Sequence, residues 1–190
     1  MAAHRPLLLA SRSPRRCQIL SFLSIPFKVV EPIGVDETPM RGESARQLVR
    51  RLALLKARSV SKLYPRHTIL AADTVVVHNG KIYGKPKDLK EAKTMLVSLL
   101  DRGHEVYTGV ALITGKKESV HVELTKVFFG RPKSKELEAY LNSTEPYDKA
   151  GAYAIQGTAG RWIKKWEGDY FNVMGLPIQW VLLRLSKLRD

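Results

Sequence analysis

Close to the start of the sequence stands Leu7-Leu8-Leu9-Ala10-Ser11-Arg12-Ser13-Pro14-Arg15-Arg16. The apolar run Leu7–Ala10 suits a short buried strand. Ser13 before Pro14 is an N-cap with proline at the first helical position, and Ile19, Leu20 and Leu23 then share one helical face. Residues 7–23 therefore read as strand, tight turn and helix. The turn gathers Ser11, Ser13, Arg12, Arg15 and Arg16 where a helix N-terminus favours negative charge, and each guanidinium can grip phosphate oxygens in a fork. Cations oppose the helix dipole at that end, so they need another reason to be there. The stretch reads either as a phosphate-binding turn or as a capped helix with a basic first turn.

Working outward, Phe27–Val30 suits a second strand, followed by the acidic turn Asp36-Glu37. Ser44 can cap a long helix on which Leu48, Val49, Leu52, Leu55 and Val60 keep the 3–4 spacing. Thr68–Val77 is β-branched and apolar apart from Asp73. Asn79-Gly80 then signals a hairpin, with a return strand from Lys81 to Gly84. A helix is expected over 89–100, strands over 106–114 and 119–129, and a short helix over Ser134–Leu141. Tyr153–Ile155, Trp162–Lys165 and, most weakly, Phe171–Val173 read as strands. Pro177 begins a last helix. Strands and helices alternate while hairpins intrude, which argues for α/β with a mixed twisted sheet flanked by helices.

The 190 residues fit a single domain over 1–190, or two small lobes around one cleft. No run approaches the ~18 apolar residues of a membrane span. Pro6–Ala10 is shorter than the roughly 7–15-residue core of a signal peptide. A single cysteine, Cys17, makes no internal disulfide. A soluble cytoplasmic protein is expected.

Lys+Arg number 32 against 18 Asp+Glu, a net charge of +14, so the chain should attract polyanions, either nucleic acid or a phosphorylated small molecule. Residues 1–66 concentrate the excess, with 13 basic and 4 acidic residues. Against nucleic acid, no recognition-helix pattern or paired-aromatic RNA motif is present. Gly109–Lys116 is spaced one residue too long for a P-loop, and His104-Glu105 lacks the second histidine of a zinc-protease helix.

Asp73 is the second anomaly. A carboxylate inside Ile69–Val77 is costly to bury unpaired, so it faces a cleft, a metal or a cation, or belongs to a structural salt bridge. Gly84-Lys85-Pro86-Lys87-Asp88 can return a lysine and a carboxylate toward the same strand end.

Leu8–Arg16 resembles the signature opening of the Maf family of nucleotide pyrophosphatases. The resemblance continues in order through Val35-Asp36-Glu37, Leu52-Ala53-x-x-Lys56-Ala57, Ala72-Asp73-Thr74, Gly84-Lys85-Pro86, the block Asp148-Lys149 to Gln156-Gly157, and Asn172–Pro177. Arg12 departs from the small residue expected between the two serines.

The resemblance implies a Maf/ITPase-like fold with two lobes around a central cleft. It implies hydrolysis of dTTP and UTP, and of modified pyrimidine nucleotides, between the α- and β-phosphorus. Asp73 would be the general base. Ser11, Ser13, Arg15, Arg16, Lys56, Lys85 and Lys149 would hold the substrate. Gln156, with Thr74 and Arg16, would shape the base pocket, since the Gln156 amide offers both a donor and an acceptor to a uracil or thymine edge. Glu37, Asp36 and Asp88 are the carboxylates for a divalent cation, Mg²⁺ or alternatively Mn²⁺. The implied partners are the nucleoside triphosphate and a second copy of the chain, with no membrane and no specific nucleic acid.

Overall fold

The computed structural model describes residues 6–187. Seven strands and six α-helices follow in the order β1 (Leu7–Ala10), α1 (Pro14–Phe22), β2 (Phe27–Val30), α2 (Ala45–Leu63), β3 (Thr68–His78), β4 (Lys81–Tyr83), α3 (Leu89–Leu99), β5 (Gly103–Thr114), β6 (Lys117–Phe129), α4 (Ser134–Leu141), β7 (Ile163–Glu167), α5 (Tyr170–Met174) and α6 (Ile178–Ser186). The strands form one mixed sheet ordered β2-β1-β3-β5-β6-β7, with β4 paired to β3.

All four residues of β1 are buried, as a strand flanked on both sides requires. It runs parallel to β2, with Leu7 opposite Phe27, and parallel to β3, with Leu8 opposite Ile69. The hairpin from β3 to β4 turns through Asn79 and Gly80 at φ 48° and 74°, the two left-handed residues that a two-residue turn matching strand twist demands. β7 pairs antiparallel with β6.

The chain divides into two compact units. The first comprises the residues up to Asp73, Thr108–Glu123, and those from Gly175 onward. Its core joins β1, α2, β3 and β5 through Leu8, Ala10, Ala53, Ala57, Val60, Ile69, Ala71, Ala111 and Ile113. The alanines matter because they let α2 lie close to the strands. Gly109 takes this to its limit: a Cβ there would stand 2.1 Å from the Val49 carbonyl oxygen on α2. The helix starts with a capping box in which Ser44 Oγ accepts from Gln47 N–H at 3.3 Å and Gln47 Oε1 accepts from Ser44 N–H at 2.9 Å.

The second unit comprises Thr74–Tyr107 and Leu124–Met174. Its core collects Leu96 and Leu99 of α3, Val106 of β5, Phe129 of β6, Tyr140 of α4, and Tyr153 and Trp162 from the segment before β7. Among the described residues, no helix is long and apolar enough to cross a membrane.

Two expectations fail here. Tyr153–Ile155 is not a strand. The preceding Gly151 and Ala152 both take left-handed backbone, at φ 68° and 64°, which turns the chain into the core instead of along a sheet. Phe171–Val173 lies within α5, where the Asp169 carboxylate accepts from Phe171 N–H at 2.7 Å and starts the helix.

Candidate functional site

The turn after β1 is held by the buried hydroxyl of Ser11. Its Oγ accepts from Ser13 N–H at 3.1 Å and from Arg16 Nη1 at 3.2 Å. Arg16 Nε also donates to the Gly175 carbonyl at 2.7 Å, which fixes the guanidinium against the chain's last helical region. Ser13 is the N-cap residue of α1, but its side chain makes no cap bond, so the helix end is organised through Ser11. Arg15 stands on the first turn of α1, half-buried. Arg12 pairs instead with Glu31 at 3.2 Å on an exposed surface.

Asp73 of β3 and Lys56 of α2 are both buried, and Lys56 Nζ lies 2.6 Å from Asp73 Oδ1. The same ammonium lies 3.0 Å from Glu37 Oε1. One lysine thus bridges two carboxylates, one deep and one half-exposed. Burial pushes the Asp73 carboxyl above its ordinary range, and the nearby Glu37 charge adds to that. The attraction of Lys56 and Arg16 opposes it. Burial also lowers the Arg16 guanidinium, against the pull of Asp73 and Glu37. Ser11, Arg16, Glu37, Lys56 and Asp73 therefore form one interacting group within the first unit.

The loop carrying Glu37 is braced by a residue that the sequence reading passed over. Arg51 of α2 forks onto Glu43 at 2.7 and 2.8 Å and donates to the Thr38 carbonyl at 3.0 Å. Asp36 accepts from Thr38 N–H at 2.9 Å, closing a local turn that holds its carboxyl below the ordinary value. The Glu43–Arg51 spacing of eight residues, with Arg51 seven places beyond the Ser44 cap, was the available signal.

The remaining expected residues belong to the second unit. Thr74 follows Asp73 on β3, so the pleat directs it to the opposite face. Lys85 is exposed after β4. Asp88 caps α3, its Oδ1 accepting from Glu91 N–H at 2.7 Å. Lys149 donates to the Glu145 carbonyl and to the Asp148 carboxylate. Gln156 is exposed directly after five buried residues, Gly151–Ile155. Among the described residues, no group of three or more His, Cys, Asp or Glu side chains is arranged to hold a metal ion.

Comparison with known proteins bears on this arrangement. The profile of the family described as Maf-like protein matches residues 6–188. A curated relative from Symbiobacterium thermophilum named dTTP/UTP pyrophosphatase is 47% identical over 181 residues, covering 95% of this chain and 93% of its own. One of the same name from Myxococcus xanthus is 48% identical over 172 residues, covering 90% and 87%. The solved Staphylococcus aureus Ham1 protein shares the fold at a TM-score of 0.55 and 15% identity, covering 96% of this chain and 99% of that one. A family match over nearly every residue, and relatives close to half identical along the same length, lead to one conclusion: the chain belongs to the Maf-like protein family.

Proposed function

We propose that this protein hydrolyses dTTP and UTP to the nucleoside monophosphate and pyrophosphate. The observation that carries the reading is the buried Asp73–Lys56 pair, with Glu37 on the same lysine and Arg16 nearby, in a chain whose relatives bear that activity in their names. Asp73 takes a proton from water, whose oxygen forms a bond to the α-phosphorus. The bond from that phosphorus to the bridging oxygen breaks, and pyrophosphate leaves with the electron pair. A carboxyl raised by burial is a stronger base than an exposed one, and the attraction of Lys56 favours its ionised form against that burial. Arg16, Arg15 and the Ser11–Ser13 turn hold phosphate oxygens, with Lys85 and Lys149 adding positive charge. Gln156 reads the pyrimidine edge, presenting a donor and an acceptor to O4 and N3–H.

Mg²⁺, with Mn²⁺ as the alternative, belongs to the same proposal, with the substrate phosphates supplying most of its ligands. Magnesium takes one or two carboxylates together with substrate phosphates. Glu37, half-exposed, is the carboxylate proposed for that role, and it would have to share its oxygens between the ion and Lys56. Asp36 and Asp88 each commit an oxygen to a backbone N–H and rank behind it. When bound, the ion neutralises charge on the phosphates. The proposed setting is the cytoplasm, where the enzyme trims the pyrimidine nucleotide pool, and the proposed assembly is a homodimer.

Pyrophosphate release from dTTP, UTP, CTP and 7-methyl-GTP, with Asp73→Asn alongside, tests the reading. Release from dTTP and UTP that falls by about 10²-fold or more in the variant supports it. Undiminished release in Asp73→Asn overturns the base, and preference for 7-methyl-GTP overturns the pyrimidine assignment.

A further inference from the structure

Gln156 occupies a four-residue turn closed by Gly157 N–H donating to the Ala154 carbonyl at 3.1 Å. The turn is clamped on both sides. Upstream, the Tyr153 hydroxyl lies 2.6 Å from His104 Nε2, and both residues are buried. The two rings stand edge to face with each other and with Phe129, at centroid separations of 4.7 to 5.3 Å. Tyr140 Oη donates to the Ala152 carbonyl at 3.0 Å, and Gly151 N–H donates to the Gly84 carbonyl at 3.0 Å. Downstream, the Glu145 carboxylate accepts from Thr158 Oγ1 at 2.6 Å and from Thr158 N–H at 3.1 Å.

These groups exceed what a surface turn requires. A tyrosine hydroxyl buried among apolar rings must find a polar partner, and a second buried polar group, His104, has been provided for it. Their joint cost makes sense where a backbone position has to be fixed. A short amide side chain distinguishes one base edge from another only when its own backbone is held to within about 0.5 Å.

We infer that His104 and Glu145 are positioning residues for base recognition, His104 through Tyr153 and Glu145 through Thr158, together fixing the turn that presents Gln156. The inference rests on the proposed reading of Gln156 and assigns roles to residues outside the substrate-holding set. His104 touches no reacting atom; it acts by immobilising the residue three places before Gln156.

The experiment compares kcat and KM for UTP and CTP in Tyr153→Phe, His104→Phe, His104→Gln, Thr158→Val and Gln156→Ala. Tyr153→Phe keeps the ring and removes only the hydroxyl. His104→Gln retains a polar partner for Tyr153 and should recover part of the effect that His104→Phe produces in full. Discrimination between UTP and CTP should fall about tenfold in Tyr153→Phe and Thr158→Val, carried by KM for UTP, with kcat within about twofold; tenfold matches the loss of one hydrogen bond of roughly 1.4 kcal/mol. Amide hydrogen exchange should quicken at residues 154–158 while α3 is unchanged. Unchanged discrimination in Tyr153→Phe and Thr158→Val, with Gln156→Ala losing it, overturns this inference and leaves the reading of Gln156 standing. Unchanged discrimination in Gln156→Ala overturns that reading itself. Thr158 and Glu145 lie outside the core, so Thr158→Val decides the matter even where Tyr153→Phe fails to fold.

Discussion

Lys56 and Asp73 stand 17 residues apart in sequence and 2.6 Å apart in space, each almost wholly withdrawn from water. Neither charge would be tolerable alone at that depth, and each is the reason the other can be there. The pair also ties α2 to β3, so the same contact that supports the fold also sets the environment of the proposed base. Removing the cation by Lys56→Met should destabilise the protein by about 3–5 kcal/mol, read as a lowered denaturation midpoint in urea. A midpoint within error of the parent would mean the pair contributes no net stability.

The same substitution has a kinetic signature. As the proposed base, Asp73 must be ionised to take a proton, and burial already lifts its carboxyl above the ordinary range while Lys56 pulls it down. The acid limb of kcat/KM against pH should therefore lie above the ordinary carboxylate region in the parent. It should move to still higher pH in Lys56→Met, alongside a lower plateau. A limb that stays in place would separate Asp73 from the observed titration.

His104 gives the second unit its own dependence on acidity. Burial, helped by the neighbouring His78, lowers its imidazole to about 3, against about 6.5 in an unfolded chain. A group depressed in this way contributes its full stability above the unfolded value and loses it as pH falls toward the folded one. Unfolding stability should decline by about 2 kcal/mol between pH 7 and pH 5 on this account, and His104→Gln should flatten the slope. Equal slopes in the two proteins would locate the acid sensitivity elsewhere.

Gly109 is expected to resist enlargement. In Gly109→Ala the new methyl would meet main-chain atoms of α2, the Val49 oxygen at 2.1 Å and the Arg50 nitrogen at 2.9 Å, which cannot swing aside as a side chain would. The helix must move off the strand, at a cost of about 2 kcal/mol or more in thermal or chemical unfolding. Gly80→Ala, where a Cβ meets open space at φ 74°, provides a comparison that isolates backbone strain from crowding.

Much of the fold was readable because its local signals agreed. β2 falls at Phe27–Val30 as its composition suggests, and α4 spans Ser134–Leu141 as expected. Ser44 and the Asn79-Gly80 turn act as their chemistry requires. The misreadings came where tertiary contacts overrode composition. Tyr-Ala-Ile at 153–155 is β-prone, but left-handed backbone at 151 and 152 sends it inward. Asn172 sits in a short helix because its amide bonds the Val106 carbonyl at 3.0 Å and Thr125 Oγ1 at 2.9 Å, partners distant in sequence.

The site divides in the same way. Asp73 stood out as one charge in an apolar strand. Lys56 did not, since the helical spacing favoured Leu55 as the inward residue, yet it is Lys56 that lies on the buried face with Leu52, Ala53 and Val60. Its partner lay on another element, beyond the reach of any local pattern. Arg12 stood out as a departure from the small residue expected between the two serines, but nothing local named Glu31 as its exposed partner.

The margins of the sheet bear on how the protein behaves when crowded. One border is β2, only four residues long and carrying Lys28 outward; the other end of the strand order is β7, where Lys164, Lys165, Trp166 and Glu167 are exposed, and β4, off that order, offers only three residues beside β3. A strand arriving from a neighbouring molecule would find few rungs at the first and would bring its own chain against paired lysines at the second. The sheet ends where the chain ends it, and concentrated solutions should remain free of fibrils that grow by edge-to-edge recruitment.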